Sequence, residues 1–175
     1  MPQTAVANQM TIGLAGQLST LHSAADAKVG TAFSQEASAG IDVGLFVKHG
    51  TVQDGVLLPS AVTDKLRGIV VHSHSFARDI ELDASGFLKP GVHFSVVETG
   101  AITVVAKQTA VPGDTVRVQV VAEAGFLVGD LRRTASVAKT IDISALARWK
   151  TTAAAIGDLA VVEIDMTNIA LAVAD

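Results

Sequence analysis

Cysteine and tyrosine are absent from this 175-residue chain, and proline, methionine and the aromatic residues are scarce. Without cysteine, neither a disulfide framework nor a thiolate metal site is possible. Aromatic residues make up only 4% of the chain although hydrophobic residues make up 49%, and the excess consists of the small side chains of alanine and valine. Such a chain has smooth apolar faces, and we expect it to bury them against partners as an oligomer or an assembly component.

A positive net charge and long apolar runs are missing as well. The formal net charge is −4, from 13 basic and 17 acidic residues. The densest basic site is Arg132 and Arg133 followed by Lys139, which is too small an electrostatic footprint to predict nucleic-acid binding. No apolar run reaches the roughly 18 residues of a membrane-spanning helix, and residues 1–5 do not begin a signal peptide. We therefore expect neither nucleic acid nor a membrane among the partners.

What the sequence does contain is a series of short valine-rich runs between turn residues. Residues 92–97 and 101–106 are separated by a turn at 98–100, and residues 111–114 turn the chain into the run 115–121. Runs of β-branched residues cut by Pro-Gly and Gly are typical of antiparallel strands. The sequence thus predicts a mainly all-β fold, a small antiparallel β-barrel or sandwich.

Further strands are expected on both sides of this region. Apolar and polar residues alternate over residues 41–47 and, from Val162 onward, in the run 159–166, which indicates half-buried strands. Shorter predicted strands are residues 69–72, 79–83 and 137–143, and residues 64–68 are a predicted turn. Residues 169–173 are a last strand or a tail.

One segment, residues 144–156, fits two structures. Ser144 could cap a short helix that runs through Leu146 and Trp149 and ends at Gly157. The alternative is a strand, a loop and a second strand. At most one short helix is therefore expected in the whole chain.

Residues 1–40 differ from the rest because they contain only three charged side chains and are rich in small and polar residues. Two structures fit this segment: an extended arm that docks on a partner, or an edge strand and loop of the main domain. We assign residues 1–40 to an N-terminal arm and residues 41–175 to the β body. The predicted partner interface consists of the apolar residues of the arm: Met10, Ile12, Leu14, Leu18 and Leu21. On this assignment, deleting residues 1–20 leaves the stability of the isolated protein nearly unchanged.

His72 and His74 form the one motif that could hold a metal ion. Residues two apart on a strand face the same side, so both imidazoles could converge on one ion. The local spacing supplies no third or fourth ligand, although His93, Asp79 or Glu81 could contribute one. The sequence favours exposed polar side chains at the end of a strand, and no metal or cofactor is expected.

No arrangement of titratable residues predicts catalysis. Asp79, Glu81 and Asp83 share one strand face, but three such carboxylates are typical of a solvated face rather than of a perturbed acid–base pair. Serine, histidine and aspartate are all present, yet no glycine-flanked nucleophile elbow occurs. We expect that the protein is not an enzyme.

The order of these features resembles that of the structural cement (decoration) proteins of tailed bacteriophage capsids. The resemblance consists of pattern and turn positions and extends roughly from Ile12 to Met166. It rests on residues 13–18, 41–47, 68–71, 91–96, 100–104, 111–118, 129–132, 147–149 and 157–162.

The resemblance implies a viral structural protein. A cement protein is made in the host cytoplasm, binds the outer surface of the phage head and bridges neighbouring capsomers. Its partners would be the phage major capsid protein and further copies of itself, as a homotrimer. Two alternatives stay open: a metal- or small-molecule-binding β-barrel that uses His72 and His74, and another virion component such as a tail or head-completion protein.

Overall fold

The computed structural model describes residues 14–19, 27–37, 40–73, 87–167 and 173–174, and within these ranges it contains β-strands and no α-helix. The predicted all-β fold is therefore confirmed. No helix in these ranges is long and apolar enough to cross a membrane. The strands are β1 (Lys28–Ser34), β2 (Phe46–His49), β3 (Gly55–Leu57), β4 (Leu66–Val70), β5 (His93–Val105), β6 (Arg117–Gln119), β7 (Leu131–Arg132), β8 (Thr140–Asp142), β9 (Ala147–Trp149), β10 (Leu159–Asp165) and β11 (Val173–Ala174).

Five of these strands close a barrel in the order β1-β3-β2-β4-β5, because β1 pairs with β5 as well as with β3. The β1–β3 pair is parallel, with Phe33 opposite Gly55, and the other barrel pairs are antiparallel. Closure leaves none of the five strands with a free edge along its paired residues, which removes a common site of unwanted strand addition.

The interior of the barrel is filled by buried apolar side chains that come from all five strands and from two flanking segments. Most of them are small or β-branched, as the composition predicts for a narrow barrel. They are Ala32, Ile41, Val47, Val56, Val70, Leu88, Phe94 and Val96.

A second and larger core lies on the outer face of the barrel. Strands β6, β7, β8 and β11 form a separate four-stranded sheet, while β10 and β9 extend the barrel sheet beyond β5. Phe46 and Ile69 of the barrel pack in this core together with Val118 and Ile141 of the second sheet. Trp149 is buried there, and its indole N–H donates to the carbonyl of Thr115 at 3.2 Å.

The predicted turn at residues 98–100 is wrong, since β5 continues through it. The first part of β5 pairs with β1 and β4, and its last seven residues pair with β10. Gly100 has a φ of +128° and lies against Ala27, so a Cβ there would approach the Ala27 Cβ to 3.0 Å. Long-range pairing on both halves thus keeps the chain extended through a sequence with local turn character.

Residues 144–156 form no helix. The N–H groups of Leu146 and Ala147 both donate to the carbonyl of Ile143, which makes one tight turn before β9 begins. Of the two structures that fitted the sequence, the non-helical one is correct up to β9. Residues 159–166 form β10 almost as predicted.

Several strand boundaries differ from the predicted ones. Gly44 has a φ of +81° and turns the chain, so the strand predicted over residues 41–47 begins only at Phe46. The predicted turn at 64–68 overlaps β4, and the predicted strand 137–143 shortens to β8. The predicted strand at 79–83 lies outside the described residues.

Strand β1 lies within residues 1–40, the range that the sequence assigns to an arm. Its residues pair with β3 and β5, and Ala32 and Ser34 are buried. This part of the arm range is therefore a barrel strand, because burial of alternate small residues needs no strongly hydrophobic run. Residues 1–13 and 20–26 lie outside the described residues.

Candidate binding surfaces

Residues 14–19 form an extended segment that lies against the protein's own body. The N–H of Gly16 donates to Thr103 O at 2.7 Å, and the N–H of Ser19 donates to Ala101 O at 2.8 Å. In return, Thr103 N–H donates to Gln17 O at 2.9 Å, and Gly16 O accepts from the N–H of His72 at 2.8 Å. This segment is thus held by β5 and by the residues that follow β4.

The predicted interface residues separate into two groups. Met10, Ile12 and Leu21 lie outside the described residues. Leu18 is half-buried, forms an isolated bridge with Ile102 and packs against the larger core, whereas Leu14 is 51% exposed. Of the two described residues, Leu18 therefore supports the protein's own fold and Leu14 is available to a partner.

Of the candidate histidine pair and carboxylate face, only His72 lies in the described part of the chain. His72 is half-buried and follows β4, while His74, Asp79, Glu81 and Asp83 lie outside the described residues. Among the residues that the structure describes, no three His, Asp or Glu side chains are grouped so that they could hold a metal ion.

A buried arginine links three strands of the barrel. Arg67 of β4 has 8% of its side chain exposed and donates to Thr31 O of β1 at 2.9 Å. Its Nε lies 3.3 Å from Glu98 of β5, and its Nη2 lies 3.7 Å from Asp54. Lys28 adds a second cation 2.8 Å from Glu98. The arrangement joins β1, β4 and β5 to the loop carboxylate of Asp54, and its groups are satisfied by one another, so it is structural.

The cations around Glu98 change its titration. Burial alone would raise the pKa of the Glu98 carboxyl, but hydrogen bonds from Lys28 and Arg67 outweigh burial and hold the pKa below its ordinary value of 4.5. Asp64 behaves in the same way, since burial is outweighed by hydrogen bonds from Ser60, Lys48 and Ala61, and its pKa lies below 3.8. Carboxyls with a lowered folded pKa stabilise the fold above their ordinary pKa, and this contribution is lost as the pH falls.

Glu98→Gln is expected to destabilise the protein by about 2–3 kcal/mol at neutral pH, since it leaves the buried Arg67 cation with a neutral neighbour. The difference from wild type should shrink as the pH falls below about 4.5, because Glu98 is protonated first in the unfolded chain and, at still lower pH, in the folded one. Urea unfolding between pH 3 and 7 measures this. An equal difference at all pH values would show that Glu98 acts through packing rather than charge.

Asp130 is buried immediately before β7, and its pKa is shifted in the opposite direction. Its carboxylate accepts from the N–H of Leu127 at 2.6 Å and lies 3.9 Å from Lys107. Burial raises the pKa of this carboxyl above 3.8, with Asp42 as a further cause. The carboxylate orients the loop between β6 and β7 against the barrel, where Gly129 O accepts from the N–H of Phe46 at 2.9 Å.

A second buried arginine organises the loops at the far end of the smaller sheet. Arg132 of β7 donates to Gln119 at 2.8 Å, to Thr134 at 3.1 Å and to Glu123 at 3.3 Å. Its guanidinium lies 4.1 Å from the centroid of the Phe126 ring, a cation–π contact. These contacts fix the loops that precede and follow β7 relative to each other.

One cleft of about 400 Å³ lies where β5, β9 and β10 meet. The Thr99 hydroxyl at its wall is buried and has no hydrogen-bond partner among the described residues. Two charged residues of the cleft neutralise each other, because Arg148 Nε donates to Glu163 at 2.6 Å. Lys150 also donates to Glu163, at 3.3 Å, so two cations hold this carboxylate.

Large apolar side chains are exposed at several loops and on β1, and of these the sequence patterns singled out only Leu14. Isolated exposed residues of this kind are ordinary on a protein surface. They are Leu14, Val29, Val52, Val111, Val121, Leu127, Val137 and Ile156. Val137 and Ala138 stand between the polar residues Ser136 and Lys139. This pattern is typical of a turn, and it is the sequence signal that could have predicted the exposure of Val137.

Comparison with known proteins gives a family match and a likeness to solved structures. The family model described as structural cement protein (E217 gp24/Pam3 gp6) matches residues 1–165. A chain from the solved structure "The capsid of Myoviridae Phage XM1" superposes with a TM-score of 0.64 and 17% sequence identity, covering 93% of this chain and 96% of that chain. At this identity the likeness shows a shared fold. No curated protein matches the sequence significantly.

Proposed function

The chain belongs to the phage structural cement protein family, a family of capsid structural proteins, and from this premise we propose that it binds the outer surface of the phage head and bridges neighbouring capsomers. The family match over residues 1–165 carries the proposal. Its immediate partner would be the major capsid protein. The closed barrel and the second sheet supply a rigid body for such a role, and the protein would work through its surface without catalysis.

The proposed stabilisation is thermodynamic. A protein that binds the assembled lattice and not the dissociated subunits shifts the equilibrium toward the lattice by mass action. Once a copy has bound one capsomer, its contact with a second capsomer is intramolecular. Many modest interfaces therefore combine into high avidity. We further propose a homotrimer, because a three-fold assembly matches the three-fold positions of an icosahedral lattice.

The proposal is tested by adding the purified protein to phage heads that were assembled without it. We expect saturable binding that co-sediments with the heads and raises the temperature at which they release DNA. Binding to dissociated capsid subunits should be much weaker. Heads that neither bind the protein nor gain heat resistance would contradict the proposal, and sedimentation of the free protein tests the trimer separately.

A further inference from the structure

Two loops lie side by side next to the end of β5 and expose an uncharged surface. One loop joins β5 to β6, and the other joins β9 to β10. They are held together because Ala110 and Ala153 exchange two backbone hydrogen bonds, of 3.0 and 2.9 Å. Residues 109–113 and 152–157 contain no charged side chain, and all of them except Ala110 and Ala153 are exposed. We call these two segments the paired loops.

The same kind of tight turn closes each of the paired loops. Asp114 N–H donates to Val111 O at 3.1 Å, and the Asp114 carboxylate accepts from the N–H of Val111 at 3.0 Å. In the second turn, Asp158 N–H donates to Ala155 O at 3.3 Å, and the Asp158 carboxylate accepts from the N–H of Ala155 at 2.8 Å. The glycine before each aspartate has a positive φ, as a type II turn requires. Both turns are ordered by their own hydrogen bonds, so little conformational entropy is lost when a partner binds.

The tips of the paired loops are apolar and stand clear of the body. Val111 is 49% exposed and Ile156 is 75% exposed. A Cβ added at Gly113 or Gly157 would meet no atom of the described residues within 4 Å. Exposed alanine, glycine and proline residues lie between the two tips, so the surface is made of two adjacent loops and not of a single side chain. An apolar surface of this kind marks an interaction site.

The charged residues that flank the paired loops are engaged within the protein. The two turn aspartates accept backbone N–H groups, and Asp114 also lies 3.5 Å from Arg133. Lys107 and Lys150 both have carboxylate partners. The surface therefore offers apolar contact without an unpaired charge at its border.

This lack of charge favours a second copy of the chain as the partner. A surface beside a rotation axis of a homo-oligomer faces copies of itself, so an unpaired charge there is repelled by its own symmetry mates. Interfaces between identical subunits are accordingly apolar and poor in charge at their core. The paired loops fit such a position, whereas they offer no charge for the selective recognition of a different partner.

We propose that the paired loops form the contact between copies of this chain, where they meet the same loops of the neighbouring copies around the axis of the homotrimer. The inference rests on the proposed homotrimer and names the surface that holds it together.

The test is sedimentation of the free protein and of variants that place a charge at this contact, Ile156→Asp and Ile156→Lys. Val137→Asp is the matched control, since Val137 is an apolar side chain 87% exposed in the turn before β8. We expect all three variants to keep the wild-type circular dichroism spectrum. The wild type and the control should sediment as trimers at micromolar concentration, and self-association of both Ile156 variants should weaken at least tenfold.

Mixing the two Ile156 variants separates a contact between copies from a change within one copy. An equal mixture of Ile156→Asp and Ile156→Lys should regain self-association, because opposite charges then meet across the contact. Failure of the mixture to associate better than either variant alone would count against the proposed contact.

The remaining outcomes separate this inference from the proposed function. A wild-type monomer overturns both the homotrimer and the paired-loop contact, whereas a wild-type trimer with equally trimeric Ile156 variants overturns the contact alone. If the Ile156 variants associate normally but bind heads more weakly than Val137→Asp, the paired loops contact the shell and their assignment to copies is wrong. Capsid binding itself is judged from co-sedimentation of the wild type with heads, so its failure is a separate result.

Discussion

Gly68→Ala is expected to destabilise the protein by about 3 kcal/mol or more, or to prevent folding, because β4 and β5 approach too closely for a side chain. A Cβ at Gly68 would overlap the carbonyl oxygen of Val97 and lie 2.9 Å from the Val97 carbonyl carbon and from Val96 Cγ1. Gly68 has an ordinary φ, so replacing glycine by alanine in this strand would otherwise stabilise it by roughly 0.5–1 kcal/mol. The sign of the effect is therefore decided by the close approach.

Chemical denaturation and the melting temperature measure this effect, with Gly113→Ala as the matched control. A Cβ at Gly113 meets no atom within 4 Å, and only its φ of +96° makes alanine unfavourable. We expect the control to lose about 1 kcal/mol, and Gly68→Ala to melt about 10 °C below wild type. Equal melting temperatures for Gly68→Ala and wild type would show that β4 and β5 do not pack as described.

Deleting residues 1–13 is expected to weaken attachment to phage heads strongly while leaving the melting temperature of the isolated protein unchanged. The hydrogen bonds that hold residues 16–19 against the body all remain after this deletion. Leu14, the first described residue, is exposed and available to a partner. An extended arm can add a strand to an exposed sheet edge and place alternate side chains, here Met10 and Ile12, in apolar pockets.

Deletion of residues 1–20 serves as the comparison. We expect it to lower the melting temperature of the isolated protein, whereas the sequence alone predicts almost no change. This deletion removes four backbone hydrogen bonds to Thr103, Ala101 and His72 together with the contact of Leu18 with the larger core. At about 1 kcal/mol for each bond, the loss of stability is several kcal/mol. If the shorter deletion lowers the melting temperature as much as the longer one, residues 1–13 belong to the body and the arm proposal fails.

The all-β class was predictable because its signals are local in the sequence: valine-rich runs favour strands, and the Gly and Pro-Gly residues between them favour turns. Strand β10 shows this, since its alternation from Val162 is visible in the sequence and its observed range nearly coincides with the predicted one. The helix that residues 144–156 could have formed is absent because β9 pairs with β10, a contact that local capping signals do not reveal.

Two other elements could not be predicted because distant residues determine them. Residues 98–100 have turn chemistry, yet pairing with β1, β4 and β10 extends β5 through them. Strand β1 has a weakly hydrophobic sequence, and only its pairing with β3 and β5 closes the barrel. The candidate surfaces depend on exposure, which follows from packing: Leu18 is half-buried while Val137 is exposed, although both are apolar.

Electron microscopy of intact heads with and without the protein tests the central claim most directly. We predict that heads containing the protein show additional density on the outer surface, that this density fits the barrel and its second sheet, and that each copy contacts more than one capsomer. Heads from phage lacking the protein should show the same lattice without that density. Density for this chain in the tail, at the head–tail junction or inside the head would contradict the claim.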